Sequence, residues 1–137
     1  MNRTEPDVLE TVTGPGTLDD IQGTLDALWL AHSDVPPAVR MQLAIATAEV
    51  GANIVEHAGA GASVNMRMEC WVHADSVSII FVDDGLEVHV DLDNVCLPDE
   101  MAERSRGLAL AKSVLREFSY QRLGSMNRWT LVSEQFG

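Results

Sequence analysis

The stretch from Ala48 to His57, AEVGANIVEH, constrains the fold more than any other, because Glu49, Asn53 and His57 recur every four residues in a segment otherwise apolar or small. On an α-helix these side chains form one row, with Asn53 and His57 roughly 40° and 80° around from Glu49 and about 6 and 12 Å further along the axis. The surrounding Leu43, Ile45, Ala46, Val50, Ile54 and Val55, with Ala44, Ala48, Gly51 and Ala52, leave hardly any sector suited to open water. The helix therefore reads as buried, with a polar row running through it. A carboxylate and an amide taken out of water are costly unless they find partners, so the row calls for an explanation.

The chain around this helix has 137 residues, the size of one domain with a real core. A single domain over residues 1–137 is expected. Nine Lys plus Arg against 21 Asp plus Glu give a formal charge of −12, which repels polyanions and makes nucleic acid and anionic membranes poor partners. The opening MNRTEPDVLE lacks a basic region followed by an apolar run, and no later window approaches about 18 apolar residues, so a cytoplasmic protein is expected. Cys70 and Cys96 suit ordinary reduced thiols rather than a disulfide framework or a metal pair.

Along the chain, Val8 to Thr13 alternates as a short strand and Gly14-Pro15-Gly16 breaks it. Thr17 is placed to cap a helix through Ile21, Leu25, Leu28 and Trp29 that fades near His32. Pro37 suits the first turn of the long helix ending near His57, with Gly59 and Gly61 as its stop. Ala62 to His73 and Ser76 to Val82 read as a hairpin, with Val64, Met66, Met68 and Cys70 on one face. Met66 and Met68 suit sheet core and edge better than a partner-binding patch. From Asp83 to Ser105 the pattern dissolves into an acidic loop or lid, with a helical turn or two near Asp99 to Arg104. Arg106 to Phe118 has the period of a helix, with Leu108, Ala111 and Leu115 on one stripe. Ser119 to Leu123 and Arg128 to Phe136 close the chain as two strands. This order favours an α+β two-layer sandwich, a mixed and mostly antiparallel sheet covered on one face by helices.

Three motifs fall in the order of a known family: ExxxNxxxH on the long helix, Asp83-Asp84-Gly85 after a strand, and Ser105-Arg106-Gly107-Leu108 at the start of a helix. On these the chain resembles the GHKL (Bergerat-fold) ATPases, and within them the bacterial anti-sigma-factor serine/threonine kinases of partner-switching systems. The resemblance implies that Asn53 holds Mg²⁺ through its amide oxygen and that Glu49 is the general base for phosphoryl transfer. Hard oxygen donors suit Mg²⁺, and a carboxylate within hydrogen-bond reach can take a hydroxyl proton. His57 either contacts nucleotide phosphates or closes the helix, where a cationic end is favoured. Asp83 is implied to read the adenine of ATP, with Gly85 allowing close backbone approach; taken alone, this DxG is also a common turn. Gly107 and Leu108 are implied to border the phosphates, since a helix N-terminus offers free N–H groups, and Ser105 can cap that helix. Arg104 and Arg106 either reach a phosphate or screen the many nearby carboxylates. Asn127, with Thr130 as a looser alternative, aligns with the polar residue of the last strand.

The function implied is an ATP-dependent protein kinase that phosphorylates Ser or Thr on a STAS-domain anti-anti-sigma protein and sequesters a sigma factor. Homodimers occur in the family, and the resemblance leaves the oligomeric state of this chain open between monomer and homodimer. Glu87 stands where the family has a second glycine, and its charge opposes nucleotide phosphates by about 1 kcal/mol or more. Together with Ser105 at another glycine position, this supports an alternative: a binding module that regulates its partner by association alone. An isolated sensor-kinase-type ATPase domain is a third reading, disfavoured by the short lid. Other chemistry fits poorly. His32, His57, His73 and His89 lack metal-ligand spacing, and neither a GxSxG elbow nor a GxxxxGK[ST] loop is present.

Overall fold

A computed structural model of the chain describes residues 5–59, 61–89 and 102–137, with only the backbone of residues 102–105. Its elements are β1 (Asp7–Val12), α1 (Thr17–Ala31), α2 (Pro37–Asn53) running into a π-helical turn (Ile54–Ala58), β2 (Asn65–Val72), β3 (Val77–Asp83), α3 (Ala102–Ser113), β4 (Glu117–Leu123) and β5 (Met126–Val132). The strands form one sheet in the order β1-β2-β3-β5-β4, and each neighbouring pair is antiparallel. The mostly antiparallel sheet expected from the sequence is thus present, and every pairing among the described residues is antiparallel. β4 runs parallel to β3, but the β4–β5 hairpin inserts β5 between them and moves the parallel strand to the edge.

Alternation sorts the sheet into two faces. Met66, Met68, Cys70 and Val72 of β2, Val77, Ile79 and Phe81 of β3, and Trp129 and Leu131 of β5 are buried, as are Ile21, Leu25 and Leu28 of α1. Met66 and Met68 are therefore core, as the alternation implied. Phe118 stacks on Trp129 at 5.9 Å between centroids and Tyr120 tilts against it at 4.7 Å, so the edge strand β4 is fastened by aromatic packing. Burial pushes the Cys70 thiol up to about 12, which keeps it protonated and inert. Cys96 lies outside the described residues.

α2 is the helix in contact with both α1 and α3. Val39, Leu43, Ala46, Thr47, Val50, Gly51 and Asn53 are buried along it, and the Thr47 hydroxyl is satisfied by the Leu43 carbonyl at 2.8 Å. The sequence suggested burial all round, but Met41 is 62% exposed and Ala48, seven residues on, is also exposed. Small and apolar residues on one strip of a helix do not by themselves require a neighbour there.

Of the boundaries that differ from the sequence reading, three have a clear local reason. Thr17 is the first helical residue rather than the cap; Gly16 holds that place, and the Thr17 hydroxyl accepts from the Gly14 N–H at 2.8 Å. α3 starts earlier and ends earlier than its apolar period suggested. Val114 and Leu115 close it through i,i+3 bonds to Ala111 and Lys112 at 3.4 Å, and Phe118 pairs instead with Leu131 in the sheet. β5 ends at Val132, but Ser133 still serves the sheet, its N–H donating to the Val77 carbonyl and its hydroxyl accepting from the Val77 N–H, both at 2.9 Å.

The stop after the π-helical turn rests on two glycines with different requirements. A Cβ on Gly59 would stand 1.7 Å from the Ala62 carbonyl oxygen, whereas Gly61 has open space but a φ of +96°. Gly61→Ala should therefore cost about 1–2 kcal/mol from backbone conformation alone. Gly59→Ala should cost more, because the backbone itself must shift. Urea denaturation of both variants checks that ranking, and equal costs would contradict the close approach at Gly59.

Candidate functional site

α2 brings Glu49 and Asn53 to the end of the helical layer. Asn53 closes the regular helix at 6% exposure, and its Nδ2 is buried without a hydrogen-bond partner. Glu49, one turn earlier, is half-buried. The π-helical turn then widens the repeat from i,i+4 to i,i+5, so the four-residue row does not continue to His57 as on a regular helix. His57 is exposed, with the Glu56 carboxylate 3.8 Å from its Nε2. The row thus contributes two side chains to the interior and sends the third outward.

The adjacent carboxylates Asp83 and Asp84 are divided by strand alternation. Asp84 turns to β2, accepting from the Asn65 N–H and Nδ2 at 2.8 Å each, and these bonds hold its carboxyl below the ordinary range. Asp83 is 1% exposed on the helix-covered face. Its Oδ1 accepts from the Gly85 N–H and from Asn127 Nδ2, each at 2.8 Å, while its Oδ2 is buried with no partner. Burial pushes the Asp83 carboxyl upward, against the pull of Asn127, Gly85 and Arg122, and Asp84 adds to the rise.

Backbone contacts fasten the segment after β3 to the end of α2. Leu86 N–H donates to the Ala58 carbonyl at 2.7 Å, and a Cβ on Gly85 would lie 2.6 Å from that same oxygen. The close approach that Gly85 permits is therefore to the π-helical turn. Asn127 likewise faces protein: Nδ2 serves Asp83 and the Leu86 carbonyl, and Oδ1 accepts from Tyr120 and Arg122. It supports Asp83, and its polar atoms are all engaged. Thr130 sits on the opposite face of β5, half-buried.

α3 supplies the third wall. The motif Ser105-Arg106-Gly107-Leu108 lies inside the helix, which begins at Ala102, so Gly107 is past the amides that a helix N-terminus leaves free. Ser105 is its fourth residue and not its cap. A Cβ on Gly107 would stand 2.4 Å from Glu49 Oε2, so this glycine makes room for the carboxylate. Leu108 is buried in the core and Arg106 is exposed. The Arg104 side chain and the acidic stretch 90–101, with most of the expected lid, fall outside the described residues. Glu87 is half-exposed, 3.7 Å from His89 Nδ1. Among the described residues no group of three or more His, Cys, Asp or Glu is placed to hold a metal, and no helix is long and apolar enough to cross a membrane.

Sequence reasoning passed over Tyr120 and Arg122. Their signal was the alternation of β4, which places them on one face with Phe118, but nothing in the sequence pairs that face with Asp83.

Two buried polar atoms without a partner, Asp83 Oδ2 at a strand end and Asn53 Nδ2 at a helix end, thus lie on segments of the α+β sandwich that are joined through the Leu86–Ala58 contact. The sequence matches the model of the histidine kinase-like ATPase domain over residues 15–132, and the chain belongs to that family. Among solved structures it is similar to the histidine kinase domain of the blue-light activated histidine kinase of Erythrobacter litoralis EL346, with a TM-score of 0.56 and 16% identity. That match covers 85% of this chain and 64% of the other, so this chain spans under two thirds of its length. No curated protein matches.

Two outcomes follow from this geometry. Because the Asp83 carboxyl is raised in the folded state, its stabilising contribution is complete below the unfolded pKa and is lost as pH rises through the folded one. Asp83→Asn, neutral at every pH, should therefore gain on the wild type in thermal midpoint from acidic to neutral pH; a difference that stays flat or shrinks would contradict the burial penalty. Gly107→Ala should destabilise the wild type more than it destabilises a Glu49→Ala background, with a coupling of about 0.5–3 kcal/mol in a double-mutant cycle of urea unfolding. Additive effects would mean that the carboxylate does not rest on Gly107.

Proposed function

We propose that this protein is an ATP-dependent serine/threonine kinase of a partner-switching system, acting on a STAS-domain anti-anti-sigma protein and sequestering a sigma factor. The observation that carries the nucleotide reading is that two of the four unsatisfied buried side-chain atoms among the described residues, Asp83 Oδ2 and Asn53 Nδ2, lie on segments fastened together through Ala58. Buried polar atoms of folded proteins nearly always have partners, and a ligand that supplies both explains them. An exocyclic adenine amine is a donor suited to Asp83 Oδ2, and phosphate oxygens are acceptors suited to Asn53 Nδ2.

In this reading each residue has a defined task. Asp83, held by Asn127 and Gly85, orients the base. Asn53 offers its amide oxygen to Mg²⁺, which supplies charge neutralisation for the phosphates when bound. Glu49, seated over Gly107, takes the proton from the incoming Ser or Thr hydroxyl while that oxygen attacks the γ-phosphorus and ADP departs with the bridging oxygen. Arg106 and Arg104 are near enough in sequence to this wall to meet phosphate or partner carboxylates. The substrate and the sigma factor are supported by the three-motif resemblance, which also admits a homodimeric state.

The expected outcome is that Mg²⁺ and ATP bind the purified protein, that Asn53→Ala weakens or abolishes this binding, and that Glu49→Ala preserves it. With a cognate STAS partner, Glu49→Ala should lower phosphoryl transfer by about 10²–10⁴-fold. Calorimetry and radiolabel transfer measure both. Absence of binding heat at high ATP concentration, with no copurifying nucleotide, would sink the kinase and leave the binding module, for which Glu87 is the supporting residue.

A further inference from the structure

The residues behind Asp83 form a chain that reaches the far edge of the sheet. Asp83 faces Asn127 in the β3–β5 register, and Asn127 faces Arg122 in the β4–β5 register. Asn127 is fully buried and all of its amide is engaged: Nδ2 donates to Asp83 Oδ1 and the Leu86 carbonyl, each at 2.8 Å, and Oδ1 accepts from the Tyr120 hydroxyl and from Arg122 Nη1, the latter at 3.1 Å. A backbone carbonyl only accepts and a guanidinium only donates, so these neighbours fix which way round the amide sits. Its NH₂ group must then meet an acceptor at Asp83. The Gly85 N–H makes the same demand on the same oxygen, at 2.8 Å. Two donors on Oδ1 leave Oδ2 as the one carboxylate oxygen without a partner.

Tyr120 and Arg122 also hold the segment that follows. The Tyr120 oxygen accepts from the Val88 N–H at 2.9 Å, and Arg122 Nη1 donates to the Gly85 carbonyl at 2.7 Å. Losing the Tyr120 hydroxyl thus leaves Asn127 Oδ1 with one donor fewer and Val88 N–H without its acceptor. The Tyr120 ring rests on Trp129, so a phenylalanine there retains the packing and removes only the oxygen.

We infer that Tyr120 and Arg122, acting through Asn127, are positioning residues that make Asp83 selective for a 6-amino purine over a 6-oxo purine. The inference rests on the nucleotide reading above. Oδ2 of an ionised Asp83 accepts from a 6-amine and repels a 6-oxo oxygen, which also only accepts. Burial opposes the ionised form, and the charges acting on Asp83 are opposite in sign, Asp84 against Arg122. When the donors on Oδ1 slacken, the buried carboxyl takes up a proton. A protonated Oδ2 donates to a 6-oxo oxygen, and the discrimination falls.

The test is calorimetric titration of the full chain with Mg²⁺ and either ATP or inosine triphosphate, whose bases differ in the 6-substituent and in the N1 proton that the 6-oxo form carries. The wild type should prefer ATP by about a hundredfold or more. Tyr120→Phe and Arg122→Met should each narrow that ratio by about fivefold to tenfold, chiefly by sparing the inosine nucleotide. Arg122→Lys, which keeps a donor, should recover part of the ratio, a rescue that a purely structural role does not produce. Parallel weakening of both nucleotides at a constant ratio overturns the inference, as does a wild type that binds the two equally, and both results leave nucleotide binding intact. A wild type that binds neither nucleotide removes the nucleotide reading itself, and the inference with it. The two single variants remove different donors to Asn127 Oδ1, so a folding failure of one, seen by circular dichroism, leaves the other to decide.

Discussion

The hydrogen-bonded carboxylate of Asp83 sets the geometry of the site end of this protein. One of its oxygens takes two donors and the other takes none, although both are removed from water. An unsatisfied buried acceptor costs about 1–3 kcal/mol, more when charged. Asn127 turns its amide to Asp83, Tyr120 and Arg122 fix the amide, and the same two residues hold the backbone from Gly85 to Val88. The far edge of the sheet is thereby coupled to the strand end that carries Asp83.

The helical layer meets this strand end with an unsatisfied group of its own. Asn53 is the last residue of regular α2, and the π-helical turn after it carries the Ala58 carbonyl that receives Leu86 N–H. Two glycines make the convergence sterically feasible. Gly85 lets the strand exit lie against Ala58, and Gly107 lets α3 lie against the Glu49 carboxylate. In both places a methyl group would occupy space that another polar atom already fills. Glycine therefore acts here through absent volume, since neither residue has a positive φ. Gly107, implied by resemblance to border the phosphates, leaves room in this structure for the Glu49 carboxylate.

Much of the architecture was legible because it depends on period. The alternation of Met66, Met68 and Cys70, the 3.6-residue spacing of Ile21, Leu25 and Leu28, and the breaks at Gly14 to Gly16 and Pro36-Pro37 each express a local preference that the packed layers reinforce. Where local and long-range preferences conflicted, pairing won. Leu115 to Phe118 continue an apolar helical stripe in the sequence, yet the ladder to β5 draws Phe118 into the sheet onto Trp129. The second neighbour of β3, on the side away from its hairpin partner β2, was not legible. A hairpin returning its second strand to the centre is a topological choice, and local sequence does not encode it.

The sequence by itself determined which residue types are brought to the site: a carboxylate and an amide one turn apart on α2, an aspartate ending an apolar strand, and a glycine in α3. It did so because helix and strand periods fix the direction of a side chain relative to its own element. Only the tertiary structure decided what those side chains meet. The π-helical turn swung His57 outward, the β3–β5 register placed Asn127 on Asp83, and α2–α3 packing set Glu49 over Gly107. The last two depend on the distance between elements far apart in the chain, and that distance follows from how the whole core packs, which no local period contains.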